Sequence, residues 1–497
     1  QLTNNSIDME QAKLSLRDKP SARWGALALL SLTMFFAYMF VDVLSPVKTL
    51  VETELGWDST IFGLYGGSEF FLNVFIGFLI LAGIILDKMG VRFTALLSGS
   101  FMVIGALIKV YALSATFRNG GPGYDAINSF SSSIHGITGW NLPPTALCAC
   151  LGFTLFGCGT EMAGVTVSRA IVKWFKGRSM ALAMGIEMAV ARLGVAGALW
   201  ISPWLSKKFE TVQAPVIFCA LLLCIGLMLY IVYFFMDKAL DKDIEGEEEE
   251  EAEEPFKFSD LGKVFGTGVF WIVAILCALY YSAIFPFQKF ATEMLQYKVG
   301  FDNEFASRIF SVFPFGAALV TPLLGYYLDR KGKGATMLIV GSILMIVCHL
   351  TFALYPFVYD SLGSGIVAMT AIVVLGISFS LVPATLWPAV PKLIDNKVLG
   401  SAYSAIFWIQ NIGLWLFPLL IGKVLDKTNV GVTDPTQLNY TAPLVMLAGL
   451  GVIALIIGLT LKVVDKKRNL GPMRSRSRGP IQRPPRRGVL SPSSSPI

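Results

Sequence analysis

Along its hydropathy the chain is a succession of apolar runs, each near the roughly 20 residues that a helix needs to cross a hydrocarbon core of about 30 Å. The pattern predicts spanning helices at about 24–46, 60–85, 92–114, 145–174, 178–204 and 214–236. A second set follows at about 268–293, 303–328, 335–356, 364–391, 398–422 and 440–464. The expected class is an all-α membrane protein with twelve transmembrane helices in two six-helix bundles. The predicted organisation is a leading segment 1–23, a first bundle 24–236, a linker 237–267, a second bundle 268–464 and a tail 465–497. Twelve crossings return both ends to one side.

Positive charge in short loops sets the orientation. Lys13, Arg17, Lys19 and Arg23 precede the first helix. Lys173, Lys176 and Arg178 lie between helices 4 and 5, Arg330, Lys331 and Lys333 between 8 and 9, and Lys466, Lys467 and Arg468 after helix 12. All fall on one side, which predicts that both termini are cytoplasmic. The linker carries an acidic run from Glu245 to Glu254, which reads as a solvated, mobile connection between the bundles. The tail is rich in Arg, Pro and Ser and reads as disordered.

Composition agrees with lipid as the solvent: 54% of residues are hydrophobic and only 15% charged, too few to cover a water-facing surface. The net charge of +6 sits mainly in short loops and the tail, so no nucleic-acid partner is expected. Cys148 and Cys150 form a C-x-C with no second ligand pair nearby, and His135 and His349 are the two histidines; no metal site or cofactor is expected. Nothing resembles a P-loop or a catalytic triad, so an enzyme is not expected. A monomer in a lipid bilayer, handling a small molecule, is the expected form. The polar start does not resemble a cleaved signal peptide. The lack of an obvious sorting signal points to a bacterial inner membrane, with the lysosomal membrane as the alternative.

The chain repeats itself. Gly83, Asp87, Lys88 and Gly90 leave helix 2 in the pattern G-x-x-x-D-[KR]-x-G, and Gly325, Asp329, Arg330 and Gly332 leave helix 8 in the same pattern. The first glycine of such a turn lets helices approach closely, and the Asp suits the positive N-terminal end of a neighbouring helix. Asp87 and Asp329 are therefore expected to latch one conformation and release it. An offset of 219 places Gly157 on Gly376, Gly185 on Ser404 and Gly194 on Gly413. Parallel repeats are what a pair of six-helix bundles requires.

These turns resemble motif A of the major facilitator superfamily, which implies the major facilitator fold. A closer resemblance lies in Phe156-Gly-Cys-Gly-Thr-Glu161, Trp174-Phe-Lys-Gly177, Ala189-Val-Ala-Arg192-Leu-Gly194, Tyr280-Tyr281-Ser-Ala-Ile-Phe285-Pro286-Phe287, Leu386-Trp387-Pro388 and Ile409-Gln410-Asn411-Ile-Gly413. Together they resemble the family of major facilitator superfamily domain-containing protein 1, the lysosomal dipeptide transporters. The resemblance implies movement of small peptides by alternating access, with Glu161 and Arg192 holding the charged ends. Two departures stand out. Asp42-Val43-Leu44 replaces an Asp-Asn-Pro stretch, and Lys289 replaces a small residue after the Phe-Pro-Phe.

Counting supports the same pair without the family. Ionisable groups inside spanning stretches are costly and usually functional. Glu161 lies 15 residues before Lys176 and Arg192 lies 16 after it. At 1.5 Å per residue both stand about 23 Å above the turn between helices 4 and 5, near the bilayer midplane. Two readings remain open. The pair neutralises itself as an internal salt bridge, or it forms a clamp in which Arg192 grips a carboxylate and Glu161 an ammonium. Tyr280, Tyr281, Ser380, Gln410, Asn411 and Tyr38 are candidate lining residues. Under the offset, Ser380 answers to Glu161 and Asn411 to Arg192, so one half supplies charge and the other neutral hydrogen bonds. Asp42 and Glu69 lie nearer the outer side and are candidates for a coupling proton or for outer-gate contacts. Arg169, nearer the cytoplasm, is a gating or binding candidate. The function expected is a uniporter or proton-coupled symporter of dipeptides. The alternatives are an organic-anion exchanger in which Glu161 is structural, and a transport-inactive sensor or scaffold.

Overall fold

Proline in the first helical turn, where its missing N–H is no loss, opens α1 (Pro20–Val41). The computed structural model describes residues 15–176, 179–244, 257–331, 334–395 and 398–468. Lys13, Arg178, Gly332, Lys333, the acidic run and the tail after Arg468 lie outside the described residues. So do the side chains of Asp329 and Arg330.

A 3-10 turn at Ser45–Val47 carries the first span into α2 (Lys48–Leu55). Asp58 caps α3 (Ser59–Ser68), accepting 2.8 Å from the Ile61 N–H. α4 (Phe71–Ile76) and α5 (Phe78–Ala112) follow. α5 turns at Gly90, whose φ of 78° lies in the left-handed region. α6 (Ala115–Arg118) and α7 (Tyr124–Thr138) occupy the connection before α8 (Pro144–Trp174), which the hydropathy left without structure. α9 (Met180–Phe209) and α10 (Gln213–Asp243) complete the first half. After α11 (Phe258–Phe265) come α12 (Gly268–Met294), α13 (Asn303–Phe310), α14 (Val312–Lys331), α15 (Gly334–Leu354), α16 (Leu362–Leu393), α17 (Leu399–Thr428) and α18 (Thr441–Arg468).

Among the described residues, 11 helical stretches are long and apolar enough to cross a membrane. The remaining crossing is span 2, and here the expected unbroken helix at 60–85 is corrected. Span 2 consists of α3, α4 and the part of α5 before Gly90, with breaks at Glu69–Phe70 and at Gly77, where φ is 64°. Irregular backbone survives at membrane depth only where protein satisfies it. Here the Phe70 N–H donates to Gly67 O at 3.0 Å, and the Leu79 N–H donates to Asn73 Oδ1 at 2.9 Å. Hydropathy averages over such a break, because the residues around it remain apolar.

The second half breaks at the same place. Span 8 divides between α13 and α14 at Ser311. Ser311 stands 242 positions after Glu69, the offset that separates Asp87 from Asp329. Asp302 caps α13 as Asp58 caps α3. The repeat also governs packing. A Cβ at Gly194 of α9 would stand 2.3 Å from Phe35 O of α1, and a Cβ at Gly413 of α17 would stand 1.9 Å from Ser282 Oγ of α12.

The halves meet most closely where α3 crosses α17. A Cβ at Gly63 would lie 2.1 Å from Pro418 O, and one at Gly67 would lie 2.3 Å from Trp415 O. The motif-turn glycines behave otherwise. Gly83 and Gly325 have open space where a Cβ would project, so the expected close approach is not made there.

Contacts between the halves gather on the side away from the chain ends, called here the far side. Lys48 Nζ lies 2.5 Å from Glu293 Oε2 and 3.0 Å from Ser59 Oγ, with both members of the ion pair 1% exposed. The Tyr440 hydroxyl donates to Glu293 Oε1 at 2.8 Å. Asp426 of α17 accepts from the Ser59 and Thr60 N–H groups at the start of α3, at 3.2 and 2.6 Å. Asn303 Nδ2 donates to Pro46 O at 2.8 Å. This seals the far side.

Candidate functional site

Glu161 comes from α8 and Arg192 from α9, and each faces the opposite half. Glu161 Oε1 accepts from Asn411 Nδ2 of α17 at 3.5 Å, the long limit of a hydrogen bond. The Arg192 guanidinium lies 5.0 Å from the ring centroids of both Phe285 of α12 and Phe379 of α16. Among the described residues the two charges do not form an ion pair with each other, so the internal salt bridge is not the arrangement found. Both side chains are partly exposed, as is Tyr38. With the far side sealed, that exposure opens toward the side of the chain ends.

An aromatic wall backs Arg192. Tyr281 stacks on Phe285 at 5.4 Å between centroids and meets Phe379 edge-on at 6.0 Å. Its hydroxyl accepts from Trp387 Nε1 at 3.2 Å. Tyr38 of α1 lies within electrostatic reach of Arg192, Glu187, Glu161 and Glu69. A guanidinium against aromatic faces keeps its N–H edge available for an incoming carboxylate, while the rings favour the cation.

The sequence-chosen lining residues divide. Asn411, Tyr281 and Tyr38 stand at the pair. Tyr280 does not: it is fully buried, and its hydroxyl donates to Leu338 O and lies 2.6 Å from Ser342 Oγ, both on α15. It pins two helices of the second half together. Consecutive helix residues point about 100° apart, so Tyr280 and Tyr281 cannot both face one chamber. Ser380 is buried and donates to Gly376 O of its own helix at 2.8 Å. Gln410 accepts from Cys277 Sγ at 3.1 Å, inside the second half.

Asp87 takes a partner other than the helix end expected for it. It forms a 3.0 Å ion pair with Arg169 of α8, on the side of the chain ends. Asp42 accepts from Gln288 Nε2 at 2.6 Å and from Lys289 Nζ at 3.3 Å, so the first and seventh spans are joined by a buried charge pair. The Lys289 stem reaches that pair by passing over Gly66, where a Cβ would stand 2.7 Å from its Cδ. Glu69 is buried at the break in span 2.

Three features were not chosen as site residues from the sequence: the Lys48–Glu293 pair, the Phe379 and Trp387 members of the wall, and Lys109. Lys109 lies toward the end of the run read as the third span, 92–114, and a charge inside an otherwise apolar stretch was the available signal.

A family model described as Major Facilitator Superfamily matches residues 30–418 and again 290–490. The lysosomal dipeptide transporter MFSD1 of Homo sapiens is 26% identical over 403 residues, covering 79% of this chain and 78% of that protein. The protein of the same name from Mus musculus is 27% identical over 427 residues, covering 83% of each. Among solved structures, the nucleoside transporter NupG aligns with a TM-score of 0.62 at 14% identity, over 88% of this chain and 99% of that one. A bacterial homolog to the human lysosomal transporter Spinster, inward-facing and occupied, aligns with a TM-score of 0.63 at 14% identity, over 92% and 100%. At such identities the structures speak for the fold alone.

Proposed function

The chain belongs to the Major Facilitator Superfamily, and on that premise we propose that it carries small peptides across a membrane by alternating access, binding a zwitterion between Arg192 and Glu161. The observation that carries this reading is the separation of the two charges. Each reaches for the opposite half through a neutral or aromatic partner, and neither cancels the other. A free peptide has a carboxylate and an ammonium at opposite ends and needs one group of each sign. Arg192 takes the carboxylate through its bidentate edge, and Glu161 takes the ammonium, exchanging its long bond to Asn411 for a charge-assisted one.

Alternating access then follows from where the halves touch. Lys48–Glu293, Asp426 on the start of α3, and Asp42–Lys289 hold the far side shut. Opening that side requires these contacts to part, while the turns around Asp87 and Asp329 close the other. Peptide contacts to both halves at the midplane favour the occluded form between the two. The chain ends are placed in the cytoplasm in this reading. The name of the vertebrate relatives favours the lysosomal membrane over the bacterial one.

The test is counterflow. Purified protein in liposomes loaded with unlabelled dialanine is expected to exchange labelled dialanine. Glu161→Gln is expected to slow a dipeptide with a free amino end and to spare its N-acetylated form. Displacement of the label by succinate with no effect of dialanine would replace this reading with carboxylate exchange.

A further inference from the structure

Three polar atoms buried close together in the first half have no hydrogen-bond partner among the described residues: Glu69 Oε2, the Tyr65 hydroxyl and Lys109 Nζ. Glu69 sits where span 2 breaks, and Tyr65 lies one turn earlier on α3. Lys109 of α5 is fully buried, in a cage of three rings. Its ammonium nitrogen stands 4.3 Å from the centroid of Phe40, 4.6 Å from Phe153 and 4.9 Å from Tyr65. An amine and a carboxyl left without partners at this depth are expensive to keep, and such groups mark ion pathways more often than packing.

The other half shows that the break does not require a carboxyl. At the equivalent position Ser311 donates to Arg308 O at 2.6 Å and accepts from Trp200 Nε1 at 2.9 Å. A small, satisfied hydroxyl builds the same turn. Broken spans near the midplane are where membrane transporters place coupling ions.

Every packed element contributes to the surroundings of Lys109. Glu69 at the break, Asp42 of α1, Lys289 of α12 and Cys219 of α10 lie within its electrostatic reach, as does Cys150 of α8. Glu69 also lies within electrostatic reach of Glu161 of α8. Lys289 acts on Glu69 as well as on Asp42, so the four groups form one cluster, in which Glu69 Oε2 and Lys109 Nζ are the atoms without a hydrogen-bond partner among the described residues.

We propose that Glu69 and Lys109 form a proton-binding site that couples peptide movement to one proton. When the cluster is neutral it holds either a carboxylate with an ammonium or a carboxylic acid with an amine. Adding one proton from water to either form gives the same product, a carboxylic acid beside an ammonium. Releasing that proton to water on the opposite side restores the neutral cluster, and no other bond is made or broken. The link to substrate runs through Glu161. Two carboxylates within reach share like charge poorly, so a proton on Glu69 leaves Glu161 as the carboxylate available to a peptide ammonium. This link rests on the peptide reading above; the proton site does not.

Two measurements test it. In infrared titration of the purified protein, the spectrum of wild type minus Glu69→Gln is expected to contain a carboxylic-acid band whose intensity or frequency changes with pH and that is displaced in Lys109→Met. The absence of any pH-dependent carboxyl band overturns the proposal. In proteoliposomes with a proton gradient, wild type is expected to accumulate dialanine above equilibrium. Glu69→Gln and Lys109→Met are expected to lose accumulation and to keep counterflow, which shows that they fold. Counterflow in wild type with no response to the gradient overturns the coupling and leaves peptide transport standing. A titrating band without dialanine counterflow does the reverse: the proton site stands and the peptide reading falls. His349 of α15 is the competing titratable base, so gradient-driven accumulation that survives Glu69→Gln and is abolished by His349→Gln also overturns the proposal.

Discussion

The first half of the molecule carries most of its central polar groups as charges, and the second half carries most of the equivalent positions as amides, hydroxyls and rings, with Lys289 as the exception. Glu161 and Arg192 face Asn411, Phe285 and Phe379. Glu69 at one break answers to Ser311 at the other. An offset of 247 places Tyr38 on Phe285, Phe40 on Phe287 and Asp42 on Lys289. Even the buried bases follow the repeat: Lys109 stands over Phe40, and His349 meets Phe287 edge-on at 5.1 Å, its ring nitrogens without a hydrogen bond of normal geometry. A shared frame has thus been filled differently. The frame holds the helices at fixed distances, while the charges at the Glu161–Arg192 level are concentrated in one half so that the other supplies a low-dielectric wall there. Against such a wall a charge that leaves its partner for a substrate gains most.

The comparison is tested most severely by removing charge from the first half. Arg192→Ala is expected to reduce dialanine counterflow by about 100-fold or more, the scale of losing a desolvated charge pair, with the melting temperature unchanged. Retained counterflow at unchanged affinity would take Arg192 out of the site and make the two halves functionally alike.

Next in size is the seam between the halves. Lys48→Met leaves Glu293 buried without its partner, at a cost of about 3 kcal/mol to the far-side-closed form. The double variant Lys48→Met/Glu293→Met is expected to recover most of that loss in a thermal-unfolding cycle. Strictly additive losses would mean that the pair contributes nothing as a pair.

A smaller effect separates the two halves in their packing. Gly194→Ala drives a methyl into the backbone carbonyl of Phe35, and Gly413→Ala drives one into the Ser282 hydroxyl, which can rotate away. The first is expected to cost about 2 kcal/mol and the second under about 1 kcal/mol, measured by unfolding in detergent. Equal costs would show that the repeat packs identically in spite of its different side chains.

Smallest is the amide opposite Glu161. Asn411→Ala removes one long hydrogen bond, and an expected 3- to 10-fold loss of counterflow corresponds to about 1 kcal/mol. A loss as large as that of Arg192→Ala would move the second half from wall to clamp.

Hydropathy and spacing alone determined the succession of crossings and the fold class, and set the expectation that Glu161 and Arg192 stand level. These depend on length along a helix, which a sequence records directly. Depth is one coordinate, and 1.5 Å per residue converts it from counting. Only the tertiary structure decided azimuth and partner. It turned Tyr280 into α15 and left Tyr281 at the pair, broke span 2 beside Glu69, sent Asp87 to Arg169, and brought Lys48 to Glu293 across 245 residues. A one-residue step rotates a side chain by about 100°, so a small difference in how a helix leans decides which neighbour it meets. That lean is set by glycine contacts such as Gly63 on Pro418. No periodicity in an apolar run reports it, because lipid and protein interior are equally apolar surroundings.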